Sequence, residues 1–138
     1  MKIFSVKPDL LLITDPPSQY RLDEIAEELI PRLSFGVPLP PGVVIAAPDG
    51  RWLILDGNNR ACLACSLKRQ LPVLRISSRV HADSILQMEA EGLIPSFPHR
   101  EFLAGRQSVS DLAHQAWIAF EGTGRRTVIQ MVKSLSAN

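Results

Sequence analysis

The sequence predicts an α+β fold, a small mixed sheet with helices, followed by a helical C-terminal region. Three observations predict it. Up to about Ser78, short apolar runs of strand length alternate with segments of helical spacing. The turn Pro48-Asp49-Gly50 joins two of those runs as a hairpin, because Pro presets φ and Asp-Gly tolerates positive φ. Beyond Ser78 the apolar patterns have helical spacing. A chain of 138 residues is the size of one domain and can bury a core. Within it, residues 1–78 read as the α+β unit and 79–138 as a helical extension packed on it.

Lys2 to Val6 alternates like a strand. Asp9 to Ile13 is a second apolar segment, closed by the loop signal Thr14-Asp15-Pro16-Pro17-Ser18. From Arg21 to Leu33, Leu22, Ile25, Ala26, Leu29, Ile30 and Leu33 recur at helical spacing, with Glu24, Glu27 and Glu28 on the other face. Pro31 lacks an amide hydrogen, so this helix is kinked or ends near Ile30. Ser34 to Gly42 is a Pro/Gly loop. Val43 to Ala47 and Arg51 to Leu55 are the two arms of the hairpin. A helix from about Asn59 to Gln70 follows, Leu71-Pro72 stops it, and Val73 to Ser77 is a further strand. Such a strand–helix–strand crossover lays its helix on a sheet face. Ala82 to Leu93 is helical, Pro95-Ser96-Phe97-Pro98 breaks it, and Glu101 to Ala104 forms a turn of helix. Ser110 to Glu121 is a helix capped by Ser110 or Ser108 and ended by Gly122-Thr123-Gly124. Arg125 to Leu135 is the last helix.

Composition excludes several classes. A net charge of +1 makes the whole chain no polyanion trap, so nucleic acid would need a local patch. The 46% hydrophobic and 21% charged fractions are those of an ordinary soluble globular protein. No apolar stretch approaches the roughly 18 residues of a membrane span. Leu10 to Ile13 is too short for the core of a signal peptide. Two cysteines make no disulfide framework, and the cytoplasm is the expected compartment.

The most informative stretch is Trp52-Leu53-Ile54-Leu55-Asp56-Gly57-Asn58-Asn59-Arg60-Ala61. It reads as a strand that turns directly into a helix, with Asp56-Gly57 as the turn and Asn58 or Asn59 as the N-cap. A helix start carries unpaired N–H groups and partial positive charge, which suit an anion. Arg60 falls in the first turn, where a cation is unfavourable unless something negative is close. The corner is therefore a candidate phosphate site.

Leu53 to Ala61, then a helix, then Leu71-Pro72-Val73, resembles the N-terminal domain of ParB and the wider ParB/sulfiredoxin superfamily. There a strand, a Gly-x-x-Arg corner, a helix and a Pro-Val strand follow one another. Upstream, Gln19-Tyr20-Arg21 and its amphipathic helix resemble the same order of elements, so the likeness covers residues 2 to 77. The resemblance implies a phosphate-binding corner, with ATP, ADP or CTP and Mg²⁺ as the cofactors. Gly57 and Arg60 match the family glycine and arginine; Asp56, Asn58 and Asn59 fall at its variable places. Arg21 adds to the phosphate pocket by the same comparison. Asn58 stands where sulfiredoxin has its catalytic cysteine, and Asn59 where a histidine is common, so reductase chemistry is not expected. ParB's Gly-Glu-Arg-Arg form and its central DNA-binding region have no match.

Other groups have plainer readings beside the chemical one. Glu24 and Glu27 are candidate general bases on what is otherwise a solvated helix face. Cys62 and Cys65 have redox spacing, but in an alanine-rich helix they suit core packing. His81, His99 and His114 lack ligand spacing for zinc, and no metal ligands are assigned. His99 could reach the pocket, although a surface loop is the simpler place for it. Arg125-Arg126 at a helix start hints at an anion, unless Glu121 serves. The helices flanking Gly122-Thr123-Gly124 read as an antiparallel hairpin rather than a helix-turn-helix.

Three functional readings follow. The first is a nucleotide- or phosphate-binding domain whose chemistry, if catalytic, is phosphoryl transfer or phosphodiester hydrolysis. The second is a DNA-associated module of a partition or regulatory system without catalysis, with the ParB-like unit as a nucleotide or homodimer switch and the basic tail touching phosphate. The third is a stable domain that has lost catalysis.

Overall fold

Turn chemistry and alternation set the sheet. The computed structural model describes residues 2–95 and 99–136. β1 (Phe4–Val6) leads through a 3-10 turn, Pro8–Leu10, into the two-residue β2 (Leu11–Leu12). α1 (Gln19–Ser34) follows, then β3 (Gly42–Ala46) and β4 (Trp52–Asp56), joined by the Pro48-Asp49-Gly50 turn. α2 (Asn58–Ser66) and β5 (Leu71–Arg75) complete the first half; α3 (Arg79–Ala90), α4 (Arg100–Leu103), α5 (Val109–Gly122) and α6 (Val128–Ser136) form the second. The strands lie in the order β1-β5-β3-β4-β2. β1 and β5, and β3 and β4, are antiparallel; β3 and β5, and β2 and β4, are parallel. The fold is α+β with a mixed sheet and a C-terminal helical region. No described helix is long and apolar enough to cross a membrane.

Alternation along the strands splits the core in two. Val44, Ile54 and Val73 face α1, α2 and α6, packing on Leu22, Ile25, Cys62 and Met131. Val43, Ile45, Leu53, Leu55 and Leu74 face the other way, onto Ile85, Phe102, Leu112 and Phe120 of α3, α4 and α5. The boundary read at Ser78 falls between β5 and α3, yet one sheet serves residues from both sides of it.

Several boundaries differ from the sequence reading, some for local reasons and some for tertiary ones. Of the two outcomes read at Pro31, a kink or an end near Ile30, the helix does not end: α1 runs on to Ser34, and Leu33, beyond the proline, packs on the core. α2 stops at Ser66 rather than Gln70. Lys68 takes φ 57°, its amide donates to Cys65 O (3.0 Å), and Arg69 N donates to Ala64 O (2.8 Å), a Schellman ending. α6 begins at Val128, not Arg125. Thr127 and Gln130 form a reciprocal cap: Thr127 N donates to Gln130 Oε1 (3.0 Å), and Gln130 N to Thr127 Oγ1 (3.2 Å). Arg125 and Arg126 thus precede the helix, and Arg125 pairs with Glu121 at 2.6 Å. Their connector crosses the open edge of β2, where Ile13 N donates to Arg126 O (3.0 Å). α5 and α6 consequently sit on opposite faces of the sheet and form neither an antiparallel hairpin nor a helix-turn-helix. Ser96, Phe97 and Pro98 of the expected break lie outside the described residues.

Candidate functional site

β4 and α2 meet at Gly57, and Gly57, rather than Asn58 or Asn59, is the N-cap. The turn directly after Asp56 needs φ 104°, which glycine alone adopts without strain. A Cβ there would lie 3.2 Å from Arg60 Nη2 and 3.2 Å from Gly42 Cα. Glycine has no side chain to cap the helix, so the first-turn amides of α2 keep their donors and their partial positive charge.

Asn58 is turned away from those amides. Its Oδ1 accepts from Thr14 N (3.0 Å) and Asp15 N (3.4 Å), and its Nδ2 donates to Thr14 Oγ1 (3.2 Å). The Thr14 hydroxyl in turn donates to Ile54 O. This staple fixes the loop after β2 against the corner.

Arg60 is buried, with 9% of its surface exposed. Its Nη2 donates to Asp56 Oδ2 (3.3 Å) and to Pro41 O (3.1 Å). The negative charge that a first-turn cation calls for is thus met within the chain by Asp56. Burial pushes the Asp56 carboxyl above the ordinary range, while Arg60 pulls it down. Among the described residues, two buried side-chain atoms lack a hydrogen-bond partner, Asn59 Oδ1 and Arg60 Nε. Both belong to this corner.

A cavity of about 670 Å³ opens over it. Arg21, Asp56, Gly57, Asn58, Asn59 and Arg60 all line it, so six of the residues read from the sequence meet at one place. Glu24 and Glu27 do not line it. Both are exposed on the outer side of α1, where Glu24 pairs with Arg21. Thr14, Asp15, His99 and Gln115 complete the polar lining. Nothing in the local sequence marked Thr14 or Gln115, because each is brought there by a distant element.

His99 is half-buried, and its Nε2–H donates to Leu55 O at 3.2 Å. Burial lowers its pKa from 6.5; the Leu55 carbonyl and Asp56 oppose that. The unfolded chain therefore takes up this proton first as pH falls. The stability so contributed is present above about pH 6.5 and is lost as pH falls through the lower folded value. Urea midpoints of wild type should fall more steeply below that pH than those of His99→Gln; parallel profiles would contradict this.

The remaining groups are structural. Cys62 is fully buried in the core, and burial pushes its thiol up to about 12, the environment of a packing residue. Cys65 is raised by burial too. Among the described residues no three His, Cys, Asp or Glu side chains cluster as a metal site. No protein-family model, curated protein or solved structure matches the chain.

Proposed function

We propose that the cavity over the β4–α2 corner binds a nucleotide or another small molecule bearing phosphate. One observation carries the reading: the uncapped N-terminus of α2 and the side chains of Arg21, Asn59 and Arg60 share one cavity of about 670 Å³. That volume suits a nucleotide-sized ligand. The resemblance of Asp56 to Arg60 to the ParB/sulfiredoxin corner supports the same reading, and it suggests ATP, ADP or CTP with Mg²⁺. The α2 amides and Arg21 would hold phosphate oxygens. Asp15 and Asp56 are the carboxylates that line the cavity, and Mg²⁺ is held by one or two carboxylates together with phosphate. In a catalytic form, phosphoryl transfer or phosphodiester hydrolysis, His99 and Asp56 are the groups placed to move a proton; Glu24 and Glu27 are not.

Thermal melts with ATP, ADP and CTP, each with Mg²⁺, test this. At about a hundred times Kd, binding stabilises the fold by about 2.7 kcal/mol, a Tm rise of roughly 10 °C for a chain of this size. Arg21→Ala, at an exposed position, should melt like wild type alone and show a smaller rise. An unchanged melt at millimolar nucleotide would sink the proposal. A salt-dependent shift of duplex DNA without nucleotide stabilisation would favour the DNA-associated module instead.

A further inference from the structure

Trp52 starts β4 and Asp56 ends it, so the indole lies at the end of the strand away from the phosphate corner. Phe4 of β1 packs against it edge-on, with ring centroids 5.5 Å apart at 61°. The Arg75 guanidinium, at the end of β5, lies 5.8 Å from the indole centroid. Lys2 and His81 close the group, and together these five side chains line a cavity of about 400 Å³. Among the described residues, no carboxylate lines it. His81 Nδ1 accepts from Ser77 N at 3.0 Å, so the neutral ring carries its proton on Nε2, a donor.

We propose that this end of the sheet binds single-stranded nucleic acid. Aromatic rings offer a stacking surface that any base can use, and the cations around them match the phosphates on either side. Arg75 and Lys2 are exposed, so the guanidinium is free to turn from the indole to a phosphate while a base takes the ring face. A duplex keeps its bases stacked on one another and has none to insert. A protein partner of opposite charge would use Lys2 and Arg75 but would leave the ring surface without a flat occupant.

The chain has two tryptophans, so Trp117→Phe leaves Trp52 as the sole tryptophan, excited selectively over Tyr20. In that background, short oligo-deoxythymidine or oligouridine should quench the emission, and the matching duplex should not. Arg75→Ala, a change at an exposed position, should weaken binding at least about fivefold without altering the melt. The salt slope of log Kobs should be about −1.4, from two cations at about 0.7 each. Arg21→Ala should leave this binding unchanged, which separates it from the site over the β4–α2 corner. Unquenched Trp52 at strand concentrations that saturate by anisotropy would overturn the proposal. So would equal affinity for an abasic phosphate chain, or Arg75→Ala binding like wild type.

Discussion

Arg60→Ala should cost about 3–5 kcal/mol at neutral pH, because it strands the partly desolvated Asp56 carboxylate and an acceptor at Pro41 O. The two side chains are only 10% and 15% exposed, so water cannot replace the guanidinium without opening the corner. The effect depends on pH. Asp56 already sits above its unfolded value of 3.8, chiefly through burial, and loss of Arg60 raises it further. A carboxyl raised by folding costs stability above its folded pKa and returns it as pH falls through that value. The destabilisation by Arg60→Ala should therefore be largest near neutrality and shrink in acid. Arg60→Leu combined with Asp56→Leu should recover most of the loss, since neither charge is then left unpaired. Urea unfolding of the three proteins at two pH values measures this. A single mutant within about 1 kcal/mol of wild type, flat in pH, would show the pair to be a surface bridge.

Ending the chain after Ser78 should abolish cooperative folding. Residues 2–78 contain every strand described, but one face of the sheet would be bare. Leu12, Val43, Ile45, Leu53, Leu55 and Leu74 are buried against α3, α4 and α5. On the other face, Val128 and Met131 of α6 cover part of the core beside α2. A fragment with that much exposed apolar surface has lost the burial that offsets chain entropy. In the full chain, Phe120→Ala should cost about 3–5 kcal/mol, because the ring is 1% exposed and touches the same face. Calorimetry of the fragment decides between one core and two. A sharp melt for residues 1–78 would mean that the helical region is an accessory.

The parts of the fold that were legible in the sequence depend on near neighbours. The hairpin of β3 and β4 follows from Pro48-Asp49-Gly50, and the start of α2 follows from Asp56-Gly57. Some misses were local, the positive φ of Lys68 that ends α2 and the Thr127–Gln130 cap that starts α6; the others were tertiary. Pro31 argued for a kink or an end near Ile30, and the packing of Leu33 on the core outweighed the end. The opposed faces of α5 and α6 depend on the connector that lies along β2, through Ile13 N and Arg126 O. The site divides the same way. Asp56 to Arg60 were visible because they are contiguous, and Arg21 because of the resemblance. His99 was read as a loop histidine that could reach the pocket; its partner Leu55, 44 residues earlier, could not be read. Asn58 looked like a cap, and its real role, holding Thr14, is an equally long-range contact.

The claim at the centre is that the first turn of α2 receives phosphate. Amide chemical shifts report on that turn directly. On titration with ATP, ADP or CTP in the presence of Mg²⁺, the amides of Gly57, Asn58, Asn59 and Arg60 should move together and saturate with one Kd, and Arg21→Ala should raise that Kd. If those four amides stay in place at millimolar nucleotide, or if the shifts gather elsewhere on the chain, the corner is a structural joint and not a phosphate site.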